Sequence, residues 1–154
     1  MGFDNAALVR RFFEDVWNKG DLGALDELVA VDAVSHDPIA GDLTGLAAIK
    51  AQVVEYRTAF PDLHFTVHDV FVAGDRVCAR WTGAGTHKAP LMGIPPTGRL
   101  QSVEGQSIAR ITNGKLVEEW PLWDTLKFAQ NLGIVPPLGA TRPSRTDTSD
   151  ARPH

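Results

Sequence analysis

The sequence predicts one α+β domain, with three helices in its first part laid against one face of a curved antiparallel sheet in its second. Three observations point there. Apolar residues recur at three- and four-residue spacing as far as Phe60. After Pro61 the period changes to two. Asn113-Gly114 then separates two long alternating segments, a hairpin signal because both turn positions accept positive φ.

From Asn5 to Lys19 the stripe Leu8, Val9, Phe12, Phe13, Val16 and Trp17 makes an amphipathic helix that Gly20 ends. Asp21 can cap a second helix burying Leu22, Leu25, Leu28 and Val29. Thr44 opens a third, with Leu46, Ile49, Val53 and Tyr56 on one stripe until Phe60-Pro61-Asp62 breaks it. Leu63 to Val72 and Arg76 to Thr86 read as strands joined by Ala73-Gly74-Asp75, and Arg99 to Thr112 and Lys115 to Trp123 as strands joined by Asn113-Gly114. Lys88 to Gly98, with three prolines and two glycines, is a rigid loop at the sheet's end. After Asp124 a short helical pattern of Leu126, Phe128, Ala129 and Leu132 stops at Gly133. Beyond Pro136 the chain is polar and proline-rich, so a domain over 1–136 and a flexible tail over 137–154 are expected.

Composition excludes several classes of function. A chain of 154 residues, 44% hydrophobic, buries a core without staples. The formal charge is −4 and the basic residues are scattered, which argues against nucleic acid as a partner. No apolar run reaches the roughly 18 residues of a membrane span, and charges interrupt the N-terminus, so neither membrane insertion nor a signal peptide is expected. The lone Cys78 suits a reducing cytoplasm.

The most informative stretch is Leu116 to Asp124. Glu118, Trp120 and Asp124 share one side of a strand, with Asp124 at its corner with the following helix. Two readings stand for Asp124: a desolvated base beside large apolar side chains, or a plain helix cap. An inward Glu118 would need a partner such as Arg80 or Arg110. His64 and His68, roughly 13 Å apart at strand rise with no third ligand evident, make a poor metal site, and none is expected. Of the four tryptophans, Trp17, Trp81, Trp120 and Trp123, most are expected to be core.

Several separated pieces occur in order: His36-Asp37-Pro38, Ala59-Phe60-Pro61-Asp62-Leu63, Gly85-Thr86-His87, Pro96-Thr97-Gly98-Arg99, Gly114 to Glu118, and the run from Trp120 through Asp124 to Leu132-Gly133. Together, over positions 5 to 136, they resemble the SnoaL-like polyketide cyclase family of the NTF2-like superfamily, in its ester-cyclase-type branch. The resemblance implies a cone, a strongly bent sheet wrapped on helices around a blind apolar pocket, in a homodimer packed through the sheet. It also implies closure of the last ring of an aromatic polyketide by intramolecular aldol condensation, with no metal or coenzyme. The family's essential aspartate ends the final strand, and Asp124 matches it. Glu104 and Gln106 are the nearest candidates for polar pocket residues on the preceding strand.

A carboxylate can take the proton from a carbon flanked by carbonyls if burial raises its pKa and a donor holds the enolate. Ketosteroid isomerase shows the pattern, an aspartate base with an oxyanion-binding acid in an apolar site. The expected site is therefore Asp124 with His36 as its catalytic pair. Substrate contacts are expected from Trp120, His87, Gln106, Glu104 and Glu118, and from Phe13 and Trp17 of the first helix. Each histidine also has a structural reading, His36 in a turn-forming sequence and His87 at the rim of the proline-rich loop.

A two-residue turn at Asn113-Gly114 would pair Ala109 with Glu118, Ser107 with Trp120 and Gly105 with Leu122 on the pocket face, leaving Ile108, Val117 and Trp123 outward as an apolar dimer face. A bulge would alter which residues share the pocket. Besides the cyclase, two function classes are open: another small-molecule enzyme, such as an epoxide hydrolase wanting an Asp-Arg-Asp set or a ketosteroid-isomerase-like catalyst, and a silent ligand-binding dimer.

Overall fold

Carboxylates begin three of the helices. Asp4, Asp21 and Asp124 each accept the backbone N–H three residues on, at 3.0, 3.1 and 3.0 Å, satisfying donors that a helix start leaves free. The structure is a computed structural model that describes residues 4–139. The expected tail from 140 onward lies outside the described residues.

The elements in order are α1 (Asn5–Arg11), a π-helical continuation (Phe12–Asn18), α2 (Leu22–Leu28), β1 (Val29–Asp37), β2 (Gly41–Thr44), α3 (Leu46–Ala59), β3 (His64–Ala73), β4 (Arg76–Thr86), β5 (Leu100–Thr112), β6 (Lys115–Trp123) and α4 (Thr125–Asn131). The six strands form one curled, unclosed sheet in the order β2-β1-β6-β5-β4-β3, antiparallel throughout except where β1 runs parallel to β6. This is the expected α+β architecture with two additions, β1 and β2, and with Val29 opening a strand rather than closing the second helix. The Asn113-Gly114 turn adopts positive φ at both positions, 50° and 73°.

On β5 every second residue from Gln101 to Ile111 is buried. That alternation defines an inner face, which packs with Val16, Leu25, Ile49 and Val53 of the helices into one core. Asp62 ties the start of β3 to the end of β4, its carboxylate accepting the Thr86 N–H at 2.7 Å and the Thr86 hydroxyl at 2.8 Å. Those two bonds hold its carboxyl below the usual range.

Candidate functional site

Between the inner face and the helices lies a cavity of about 100 Å³. The π-helical segment explains much of its wall. Bonding from residue i to i+5 sets Phe12 and Trp17 one turn apart, and both line the cavity with Phe13. Phe65, in contact with Trp81 at 5.0 Å between ring centroids, and Trp123 against Phe128 at 5.1 Å complete an aromatic lining.

Two carboxylates enter this apolar space, Glu119 from β6 and Asp37 from the end of β1. Asp37 is held by three donors: it accepts the N–H groups of Ile39 and Ala40 at 2.8 and 2.7 Å, and the Gln52 amide at 2.8 Å. Glu119 is buried with one partner among the described residues, the Ser35 hydroxyl, which donates to Oε1 at 2.8 Å. Burial pushes the Glu119 carboxyl above its ordinary range; the Ser35 hydrogen bond opposes this and the negative charge of Asp37 adds to it. Burial likewise raises the Tyr56 hydroxyl, with Asp37 and Glu55 contributing, so Tyr56 stays a neutral donor at the cavity.

The hairpin register departs from the sequence expectation at one residue. Ile111 pairs with Leu116, but Arg110 pairs with Glu118, so Val117 is an extra residue on β6. One added residue exchanges the two faces of everything beyond it. Ala109 therefore pairs with Glu119, Ser107 with Pro121 and Gly105 with Trp123 on the inner face. Glu118, Trp120 and Leu122 turn outward. Gly105 and Ser107 do mark the pocket face as expected, but the β6 residues opposite them are the odd-numbered ones.

Of the expected site residues, Phe13 and Trp17 line the cavity. Asp124 does not. It is exposed, caps α4 through Lys127, and lies with Glu104, Gln106, Trp120 and Arg80 around an open hollow on the outer face. His87 is fully buried behind the cavity wall, its ring 5.4 Å from that of Phe60. The Thr97 N–H donates to its Nδ1 at 3.2 Å, and the main chain binds Arg99 and Gly98, so His87 anchors the proline-rich loop.

His36 and Glu118 belong to a third place, an outer-face network. His36 Nε2 lies 2.7 Å from Glu118 and Nδ1 2.7 Å from Asp42, while Arg110 donates to the other Glu118 oxygen at 3.1 Å. The imidazole stacks on Trp120 at 5.5 Å, and Arg76 covers the same indole at 5.0 Å. Hydrogen bonds to Glu118, then Asp42, raise His36 above 6.5, and His36 with Arg110 lowers Glu118. The stabilisation from the pair is thus complete between about 4.5 and 6.5, lost as pH rises through the raised His36 value and lost again as pH falls through the lowered Glu118 value. Proton NMR should show His36 titrating above 6.5 in the native protein and shifting down in Glu118→Gln; an unchanged midpoint would exclude the pairing.

The residues not anticipated are Glu119, Asp37, Ser35 and Tyr56. The signals for them were a second acid beside Glu118 and a polar alternation Ser35, Asp37 in the segment before Pro38. No His/Cys/Asp/Glu cluster among the described residues could hold a metal ion. Among the described residues no helix is long and apolar enough to cross a membrane.

The sequence profile of the SnoaL-like polyketide cyclases matches residues 7–132. The chain belongs to that family. Aklanonic acid methyl ester cyclase DnrD of Streptomyces peucetius is 31% identical over 134 residues, covering 82% of this chain and 88% of that one. Among solved structures, TsrD of Streptomyces laurentii superposes on this SnoaL-like chain with a TM-score of 0.76 at 28% identity, covering 87% of this chain and 100% of its own. IdmH of Streptomyces antibioticus gives 0.72 at 31%, covering 85% and 99%.

Proposed function

We propose that this SnoaL-like chain closes a ring in a polyketide-like substrate by an intramolecular aldol step, with Glu119 as the base and no metal or coenzyme. The observation that supports it most is a desolvated carboxylate with one hydroxyl partner inside an aromatic cavity. The relative DnrD, a cyclase of aklanonic acid methyl ester, supports the substrate class. The Glu119 carboxylate takes the proton from a carbon flanked by carbonyls, and the enolate carbon attacks a second carbonyl carbon of the same molecule. The new alkoxide then recovers the proton from the Glu119 carboxyl. Nothing is gained or lost, so product and substrate are isomers. A cavity of about 100 Å³ holds about one ring, so the closing ring enters and the rest of a larger substrate stays at the open side.

Asp37, whose oxygens accept three donors, fits a fixed wall charge better than a base. An epoxide hydrolase's Asp-Arg-Asp set finds no support, because no arginine lines the cavity among the described residues. The test is incubation of the EDTA-dialysed protein with a methyl-ester polyketide carrying an activated methylene and a ketone placed for ring closure. An isomer of unchanged mass is expected; unconverted substrate, or conversion restored by a divalent metal, would count against the reading.

The same proposal includes a homodimer through the outer face. Phe71, Cys78, Ile108 and Trp120 stand in one row across β3, β4, β5 and β6, and Leu122 beside them is 70% exposed. An apolar row of this kind suits a self-complementary two-fold contact. Trp123, expected there, is instead a cavity wall, and Trp120 and Leu122 take its place. Sedimentation should show a dimer that Leu122→Asp dissociates; a monomeric native protein at micromolar concentration would refute it.

A further inference from the structure

We propose that Ser107 donates the hydrogen bond that holds the enolate oxygen, and that Trp81, laid over Gly105, fixes the Ser107 hydroxyl for that task. The inference rests on Glu119 being the base. Trp81 of β4 pairs with Gly105 of β5, and Gly105 pairs in turn with Trp123 of β6. A Cβ on Gly105 would stand 2.5 Å from Trp81 Cζ2 and 2.7 Å from Trp123 Cβ. The missing side chain is therefore the space in which the indole lies across β5. From there its Nε1–H reaches Ser107 Oγ at 3.0 Å, with both residues buried.

An indole nitrogen donates and never accepts, so this bond occupies a lone pair of Oγ and leaves the hydroxyl proton to be given elsewhere. No acceptor among the described residues takes that proton, and Ser107 lines the cavity. Accepting from Trp81 also polarises the O–H and strengthens it as a donor. Of the other donors at the wall, the Gln52 and Gln101 amides each commit one N–H, to Asp37 and to the Phe128 carbonyl, and the Tyr56 hydroxyl stands on α3 rather than on the strand that faces Glu119 across the hairpin.

Ser107 is also placed correctly relative to the base. It pairs with Pro121 while Glu119 pairs with Ala109, which makes Ser107 and Glu119 diagonal neighbours on one face. Diagonal neighbours stand roughly 7–8 Å apart. That span suits an activated C–H at the Glu119 end and, two bonds away, the carbonyl oxygen that gains charge as the proton leaves. A donor aimed at developing charge acts in the transition state more than in the ground state.

The test uses 4-nitrophenol as the probe, since its phenolate mimics an enolate and its ionisation is read by visible absorption. In Glu119→Gln a bound phenolate meets no like charge at that position, and its affinity is measured beside that of the neutral phenol. Adding Ser107→Ala should weaken phenolate binding about tenfold, against little change for the neutral phenol. Because Ser107→Ala strands the Trp81 N–H, Trp81→Phe/Ser107→Ala in the same background removes both partners and should show the same selective loss. Equal phenolate retention with and without the serine overturns the role of Ser107 while leaving the cavity as the site. Failure of nitrophenol to bind any variant overturns the cavity as the site and this inference with it.

Discussion

Replacing Glu119 by glutamine is expected to lower kcat for ring closure by roughly 10²–10⁴-fold, the usual contribution of a positioned general base. Asp124→Asn should leave kcat nearly unchanged, because that carboxylate caps α4 on the other side of the sheet. The reverse result would restore Asp124 as the base. Two pH dependences accompany the assignment and run in opposite directions. Activity needs the ionised carboxylate, so it should rise with pH through a midpoint above the ordinary glutamate value of 4.5. Stability moves the other way. A carboxyl raised in the folded state is protonated there while the unfolded chain has already released its proton, so stability is full below 4.5 and falls as pH rises through the raised value. Glu119→Gln should therefore melt above the native protein at neutral pH, with the difference vanishing below pH 4.5. A glutamine variant that is less stable at neutral pH would show that Glu119 is not held against its desolvation.

Most of the architecture was legible because the relevant signals are local. Asp21 caps α2, Asn113-Gly114 turns the hairpin and Phe13 and Trp17 face inward, each as spacing alone requires. β1 was missed for a physical reason. Its inward residues toward the end are Ser35 and Asp37, so the strand alternates without an apolar signal, and its partner β6 is distant in sequence and parallel. The facing of β6 departs from the expectation through a single residue. Glu118, Trp120 and Asp124 do share a face, but Val117 adds a residue before them and turns that face outward. Nothing in the composition of Leu116-Val117-Glu118 marks a bulge, because neither a glycine nor a proline is involved. A feature that decides which of two adjacent acids enters the cavity is thus set by how β6 fits against both β1 and β5. Periodicity within one strand cannot register it.

Gly105→Ala is expected to be the most damaging single-methyl change in the sheet. Two effects oppose each other. Replacing a strand glycine reduces the freedom of the unfolded chain, a gain of about 0.4–1 kcal/mol where the new side chain fits. Here it does not fit, since the added carbon would meet Trp81 on one side and Trp123 on the other, both below 3.0 Å. Neither neighbour can yield cheaply, because Trp81 is packed against Phe65 and hydrogen-bonded to Ser107, and Trp123 against Phe128. Overpacking of this kind costs roughly 1–3 kcal/mol, which exceeds the gain. A chain of this length loses roughly 2–4 °C of melting temperature per kcal/mol, so a fall of several degrees is expected. The cause is checked by a double-mutant cycle. In Trp81→Phe the smaller ring no longer reaches across β5, so the alanine should cost less than it does beside the indole, with the part owed to the Trp123 Cβ at 2.7 Å remaining. If Gly105→Ala lowers the melting temperature equally in both backgrounds, the glycine is not there to seat Trp81, and the support for Ser107 would have to come from elsewhere.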